Sequence, residues 1–501
     1  MMTAAAMSPG MTLGELMGDA APAALAARRV ADLTLDSRSV VPGSLFLAVP
    51  GTREHGLQHA PAAAAAGATL VAWEPVDGVS VPVLPAGCEA FPVPGLRRHL
   101  GALADRFFGR PSRRLAVVGV TGTNGKTTCA NLVAGALERL GRRAGVIGTL
   151  GSGPVGALRS AALTTPDVIE VHRTLAEFVG QGLQAVAMEV SSHALDQGRV
   201  DAVRYAVAAF TNLSRDHLDY HGDLETYAEC KARLFLEHRP AASVINVDDE
   251  FGRSLFARLG KETRGIAVGR DAAGDGDAVR LVRLAARADG LVLRLDGAFG
   301  EIGLRSPLVG EFNAENLALA FAVLLALDAD ASAAADALAG VTAPAGRMEA
   351  FADPARDVLA VVDYAHTPDA LAKALAALRS HCRGRLWCVF GCGGERDRGK
   401  RPDMGRVAEQ LADELVITDD NPRGEDGRSI VADILAGIDD VGAVRIERDR
   451  AAAIRQALGA AQPGDVVLIA GKGHEEVQLV AGERRPFSDR VLAASLTGGA
   501  L

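Results

Sequence analysis

Aromatic residues are scarce, at 4% of the chain, with two tryptophans and four tyrosines. With abundant alanine, this reflects coding bias and points to no function. Cysteine is scarce as well. The six, Cys88, Cys129, Cys230, Cys382, Cys388 and Cys392, show neither paired metal spacing nor a dense disulfide framework, so reduced thiols in a cytoplasm are expected. The N-terminus lacks a basic stretch ahead of an apolar core, so no secretory signal is read. Long apolar runs are missing too. The longest, Leu317 to Leu327, is shorter than the ~20 residues that span a bilayer and reads as a core helix. Positive charge is not in excess: the net charge is −9, with both signs interspersed. That argues against general nucleic-acid binding, though not against a local basic pocket for phosphates. The expectation is a soluble, cytoplasmic monomer with small-molecule partners, no nucleic acid and no membrane.

What the chain has is apolar material, 49% of 501 residues, ample for about three domains. It is organised around Leu115 to Thr128, LAVVGVTGTNGKTT. Leu115 to Val120 reads as a strand buried on both faces. Gly122, Thr123, Asn124 and Gly125 turn the chain, and Lys126, Thr127 and Thr128 open a helix. Strand, glycine turn, Lys-Thr and helix form the phosphate-cradling unit of nucleoside triphosphate enzymes. Lys126 would reach the outer phosphates and the Thr127 hydroxyl could ligate magnesium. The standard spacing G-x-x-x-x-G-K-[ST] is not met, because Val120 stands where its first glycine would fall.

Three α/β segments are read: 1–96, 97–344 and 345–501. In the first, Thr12 to Glu15 forms a capping box, and strands fall at Leu33–Ser37, Leu45–Val49 and Thr69–Trp73 around an alanine-rich helix. In the second, apolar strands at Gly145–Ile147, Ala185–Met188, Tyr205–Phe210 and Ser243–Val247 alternate with helices. That pattern implies a mostly parallel sheet with its ligands at the carboxyl ends of the strands. Polar clusters follow there: MEVSSH (Met188–His193), where Glu189 suits magnesium, and NLSRDHLDYHG (Asn212–Gly222), where His217 lies among acids. Lys231, in the helical stretch Tyr227 to Leu236, reads by itself as a solvated surface lysine. Asn313 and Asn316 share a helical face; an adenine edge and helix capping are equally open. In the third segment, four strands end in polar loops: DYAHTP (Asp363–Pro368), GCGGERDRGKRP (Gly391–Pro402), DNPR (Asp420–Arg423) and GKGHE (Gly471–Glu475). The spacing Gly391, Gly393, Gly394 does not fit a dinucleotide fingerprint.

With GEFNAEN (Gly310–Asn316) and GRME (Gly346–Glu349), these motifs run in one order along nearly the whole chain and resemble the Mur ligase family, the ATP-dependent amide-forming enzymes of peptidoglycan synthesis. The resemblance implies a small N-terminal UDP-binding α/β domain, a central phosphate-loop domain and a C-terminal Rossmann-like domain. It implies ATP and Mg2+, and the substrates UDP-MurNAc-L-Ala-D-Glu and meso-diaminopimelate. Leu35, Ser37 and the loop Thr52 to Glu54 would hold the UDP part; Thr164, Thr165, Ser191, Gln197 and Arg199 would touch the rest of that substrate. Lys231 matches a carbamylated lysine, which reverses its surface reading and joins it to Thr127, Glu189 and His217 as a magnesium ligand. Lys126, Glu189, His217 and Lys231 would carry the catalysis. Asn313 and Asn316 would lie near adenine, with Arg347 and Asp363 closing over the nucleotide. Arg396, Asp420, Asn421, Pro422, Arg423, Gly471 and Glu475 match the amino-acid site, and DNPR sides with diaminopimelate over lysine. The implied reaction passes through an acyl phosphate, with no side chain standing out as the base for the amine. A lysine-adding member of the family, a folylpolyglutamate-type ligase and, outside the ligases, a nucleotide-driven switch or motor are the alternatives.

Overall fold

The structure is a computed structural model that describes residues 10–51, 54–161, 163–260, 262–272, 277–287 and 289–499. The chain divides into two compact units. One comprises Met1–Lys126, Gly141–Ile245 and Asp249–Gly265; the other comprises Thr127–Leu140, Asn246–Asp248 and Ile266–Leu501. No helix among the described residues is long and apolar enough to cross a membrane.

The first unit opens with the helix Leu13–Met17, held by a capping box in which Thr12 and Glu15 satisfy each other's end groups. Four strands follow, Asp32–Thr34, Ser44–Ala48, Leu70–Trp73 and Glu89–Pro92, paired in parallel in sequence order. Alternation sends their side chains to two faces. Leu33, Leu45, Leu47, Leu70 and Phe91 join Leu13 and Leu16 and the apolar stripe Leu96, Leu100, Leu103 and Phe107 of the helix Leu96–Phe107. Phe46, Ala48 and Val71 pack on Leu57, Ala60 and Ala63.

The second sheet of this unit has the order Ala242–Asn246, Val207–Phe210, Ala116–Thr121, Ala185–Glu189, Ala144–Gly148, Gly151–Pro154. All pairs are parallel except the last, a short hairpin. The strand that feeds the phosphate loop is therefore flanked by those ending in Glu189 and Phe210. The register pairs Glu189 with Val120 and Phe210 with Thr121, so the three polar loops emerge side by side.

In the second unit, the strands Ala278–Arg287, Gly290–Gly297 and Ile302–Ser306 form an antiparallel ribbon. The run read as a core helix lies in the helix Phe312–Ala326, buried along most of its length. A six-stranded sheet follows in the order Glu349–Asp353, Val358–Asp363, Val466–Ala470, Leu386–Phe390, Glu414–Ile417, Arg445–Ile446, parallel but for its first pair. Val361, Cys388, Phe390, Ile417 and Leu468 face one layer of helices. Val362, Trp387, Val389, Val416 and Ile469 face the other, where Ile454 and Ala493 pack. The four polar loops expected at strand ends all leave the carboxyl edge of this sheet, the place where such sheets bind ligands.

Candidate active site

The phosphate loop is built against the segment that follows Phe210. Thr123 N donates to Asn212 O at 2.8 Å, Asn124 N to Asn212 Oδ1 at 3.0 Å, and Thr211 Oγ1 to Asn124 O at 2.6 Å. Gly122 has φ 143°, and a Cβ there would lie 1.9 Å from Thr211 Oγ1, so only glycine lets the loop approach this closely. Lys126 folds its ammonium onto the Gly122 and Thr123 carbonyls, at 2.9 and 2.8 Å. Gly125, Thr127 and Thr128 continue the loop into the helix Lys126–Arg139.

Lys231 corrects the surface reading. It is 1% exposed on the helix Leu224–Leu236, its Nζ donates to Gly122 O at 2.8 Å, and it lies 4.3 Å from the centroid of the Tyr227 ring. Burial, and then the charge of Lys126, push its pKa well below the ordinary lysine value. The amine is therefore held toward its neutral, nucleophilic form.

Glu189 ends its strand 1% exposed; Thr149 donates to both carboxylate oxygens, from N at 2.7 Å and from Oγ1 at 3.2 Å. Thr149 Oγ1 also lies 3.1 Å from Thr164 Oγ1. Thr165 Oγ1 donates to Glu189 O at 2.8 Å and accepts from Ser191 N at 3.2 Å. Arg199 donates to Thr165 O at 3.0 Å and to Gln197 Oε1 at 3.0 and 2.6 Å. Gln197 Nε2 donates to the Tyr220 hydroxyl at 3.1 Å. The Tyr220 ring lies 4.2 Å from His193, which meets His217 edge-on at 4.9 Å. One connected set thus joins every candidate of this segment from Glu189 to His217. The sequence reading did not single out Thr149, Tyr220 or Tyr227, all of which hold it together.

Among the described residues, no group of three or more His, Cys, Asp or Glu side chains could hold a metal ion. Magnesium keeps waters and phosphate oxygens and needs only one or two carboxylates from the protein. Glu189, and a carboxylate made on the buried amine of Lys231, fit that requirement.

Of the N-terminal candidates, Leu35 and Ser37 follow the strand Asp32–Thr34. Leu35 packs at the edge of the core, and Ser37 opens a short turn in which Arg38 pairs with Asp36. Thr52 of the expected loop lies outside the described residues, and Glu54 pairs with His59 at 2.9 Å.

Asn313 and Asn316 are buried with their amides committed. Asn313 Nδ2 donates to Val309 O at 2.7 Å, and Asn316 Nδ2 donates to Asn313 Oδ1 at 2.9 Å. Neither bond is a helix cap: no side chain caps this helix at Glu311.

At the carboxyl edge of the six-stranded sheet, Lys472 holds a buried polar group together. Its Nζ donates to Asn421 Oδ1 at 3.0 Å and to Glu475 Oε2 at 2.8 Å, and lies 3.7 Å from Asp420. Asn421 Nδ2 donates to the same Glu475 oxygen at 2.8 Å. Burial opposes the charge of Glu475, yet the bonds from Lys472 and Asn421 hold its pKa below the usual value. Burial raises that of Asp420, which is 7% exposed and has one carboxylate oxygen without a hydrogen-bond partner among the described residues. Pro422 is buried, and Arg423 sits at φ 54° with its Nη1 donating to Gly394 O at 2.6 Å. A one-residue bridge to Val480 of the hairpin Val477–Val480/Glu483–Pro486 fixes it there. Arg396 is exposed on the neighbouring loop. Asp363 accepts from Met348 N at 2.8 Å and Ala365 N at 2.9 Å, while Gly471 N donates to its carbonyl at 3.1 Å. Arg347 lies over Tyr364, 4.8 Å from the ring centroid. Lys472 and Tyr364 are the residues that sequence reasoning passed over here, although both lie inside quoted motifs.

Comparison with known proteins gives matches along most of the chain. Residues 29–108 match the model described as "Mur ligase family, catalytic domain", 120–324 the Mur ligase middle domain and 346–473 the "Mur ligase, glutamate ligase domain". A relative from Xanthomonas oryzae pv. oryzae, named UDP-N-acetylmuramoyl-L-alanyl-D-glutamate--2,6-diaminopimelate ligase, is 50% identical over 492 residues, covering 97% of each chain. One of the same name from Xylella fastidiosa is 51% identical over 472 residues, covering 93% of this chain and 94% of its own. A solved structure of an enzyme of that name superposes with a TM-score of 0.74 at 35% identity, covering 98% of this chain and 99% of the other. With three family models in the expected order and relatives at half identity over nearly its full length, the chain belongs to the Mur ligase family.

Proposed function

We propose that this chain is the ATP-dependent ligase that joins meso-2,6-diaminopimelate to UDP-N-acetylmuramoyl-L-alanyl-D-glutamate, a cytoplasmic step of peptidoglycan precursor synthesis. The relatives that cover nearly all of it carry that name. The observation that carries the reading is the charge-lined group of Asp420, Asn421, Arg423, Lys472 and Glu475. A zwitterion with a distal carboxylate and amine needs such partners. Arg423 offers a planar fork to a carboxylate, and buried acids offer a counter-charge to an ammonium.

A carboxylate resists an amine because its carbonyl is a poor electrophile and oxide a poor leaving group. ATP removes both obstacles by phosphorylating the D-glutamyl γ-carboxylate; the amine then displaces phosphate. Lys126 neutralises charge on the transferring phosphoryl group. Lys231, held neutral, attacks carbon dioxide through its lone pair and loses a proton, leaving a carbamate. Thr127, Glu189, His217 and that carbamate would hold Mg2+, which supplies further positive charge at the phosphates. We assign Thr164, Thr165, Ser191, Gln197 and Arg199 to the nucleotide-linked dipeptide, and Leu35 and Ser37 to its UDP. Asn313, Asn316, Arg347 and Asp363 are assigned to ATP. The segments 1–96, 97–344 and 345–501 serve as UDP-binding, ATP-binding and amino-acid-binding domains.

ADP release is the direct test. It is expected only when the nucleotide dipeptide and diaminopimelate are both present, and to be slow with lysine. Release that is indifferent to omission of either substrate would refute the proposal, and equal kcat/KM for lysine would refute its specificity.

A further inference from the structure

Two buried nitrogens near the amino-acid group have no hydrogen-bond partner among the described residues: His474 Nδ1 and Arg347 Nε. Both side chains lie against one ring. The Arg347 guanidinium is 4.8 Å from the Tyr364 centroid, and the His474 ring is 5.3 Å from it at a tilt of 41°. The backbone locks this stack. Gly346 has φ 63°, and a Cβ there would lie 2.1 Å from Gly473 C and 2.2 Å from His474 N. The GRME and GKGHE loops therefore interlock, and His474 cannot drift without breaking that contact.

His474 adjoins Glu475, whose carboxylate is held by Asn421 and Lys472. Tyr364 follows Asp363 and feels the charges of Glu475, Asp420 and Arg396 as well as Arg347. The stack thus links residues assigned above to the amino acid with Arg347 and Asp363, assigned to ATP. Burial and then Arg347 hold the imidazole below the ordinary histidine range; Arg490 acts in the same sense, Glu475 and Glu476 against it. Burial raises the Tyr364 hydroxyl, so that ring stays neutral. The result is an uncharged imidazole with an unused nitrogen.

Aminolysis of an acyl phosphate needs a proton acceptor. The amine arrives as an ammonium and must shed protons to form an amide. We propose that His474 accepts, at Nδ1, the proton released by the attacking amine. This rests on the ligase reading above. His474 takes one proton from the ammonium, which frees the lone pair that forms the C–N bond; the acyl C–O bond breaks with its electrons leaving on phosphate, and the departing phosphate takes the second N–H proton.

The test compares wild type, His474→Gln and His474→Ala with two nucleophiles, diaminopimelate and hydroxylamine, under saturating ATP and nucleotide dipeptide. Hydroxylamine is already unprotonated at neutral pH and needs no base, so its hydroxamate reports acyl phosphate formation. In both variants amide formation is expected to fall about 10²-fold or more while hydroxamate formation is retained. The acid limb of the wild-type kcat profile, taken at saturating diaminopimelate, should also disappear in His474→Gln. Equal losses with both nucleophiles, or no loss with diaminopimelate, would overturn the assignment. A wild-type protein that makes neither amide nor hydroxamate would overturn the ligase reading, and this inference with it.

Discussion

Lys126 and Lys231 donate to one and the same oxygen, the Gly122 carbonyl, at 2.9 and 2.8 Å. Two ammonium groups sharing one acceptor repel each other, and Lys231 is the one buried at 1% exposure. Burial and the charge of Lys126 push its pKa well below the ordinary lysine value. A carbamate on Lys231 would turn that repulsion into attraction toward Lys126.

Lys231→Ala is therefore expected to lower kcat at least about 10²-fold, the scale of losing one charge-stabilising group. Acetate or formate should restore part of the ADP release by supplying a free carboxylate. Wild-type protein in carbon-dioxide-depleted buffer should regain activity when bicarbonate is added. Full activity of the alanine variant without any such addition would return Lys231 to a structural role.

Arg423→Ala should weaken diaminopimelate by about 1.5–3 kcal/mol, the range for a hydrogen bond to a charged group, and so raise its KM roughly tenfold or more. Lysine, which has no distal carboxylate, should be used no worse than before. Arg423→Lys keeps the charge and loses the fork, so it should recover only part of the discrimination. These outcomes are read from ADP release with each amino acid. An unchanged KM for diaminopimelate would remove Arg423 from the site.

Strands buried on both faces, such as Ala116–Thr121 and Leu386–Phe390, were legible because they leave continuous apolar runs. The antiparallel ribbon at Ala278–Ser306 was not. Its exposed Arg280, Arg283, Arg294 and Arg305 interrupt the apolar pattern, since one face meets solvent. Site motifs were visible as polar clusters at strand ends, but their interconnection through Thr149, Tyr227 and Lys472 depends on contacts far apart in sequence. Lys231 did carry a local signal. Tyr227, Ala228, Lys231, Leu234 and Phe235 recur at helical spacing and form the buried face, so a lysine in that register is inside the protein.

Arg450 and Asp489 form a bidentate pair at 2.8 and 2.7 Å, both fully buried, and Arg450 also donates to Ala470 O at 2.9 Å, just ahead of the GKGHE loop. Asp489→Ala leaves a buried guanidinium unpaired. It should cost about 3–5 kcal/mol, seen as a lower denaturant midpoint, whereas replacing both residues by apolar ones of similar volume should cost much less. If the single and double variants lose the same stability, the pair is not the source.

Asp420 connects stability with pH. Burial raises its pKa above the usual carboxylate value; Arg450 and Lys472 pull it down, Glu475 and Asp489 push it up, and the net direction is up. The folded state therefore binds this proton more tightly than the unfolded chain. Its contribution to stability is present below the unfolded pKa and is lost as pH rises through the raised folded value. At a pH above the raised folded value the ionised carboxylate is thus a strain on the fold. Asp420→Asn should unfold no more easily than wild type there, and the gap should close on acidification. Binding runs the other way. The charge that strains the fold is the one an amino-acid ammonium needs, so the wild-type KM for diaminopimelate should rise as pH falls into the range where Asp420 takes up its proton. In Asp420→Asn it should be high and flat across the same range. Denaturation curves and KM measured against pH on the two proteins check both halves, and a parallel pH dependence in the asparagine variant would assign the titration to another group.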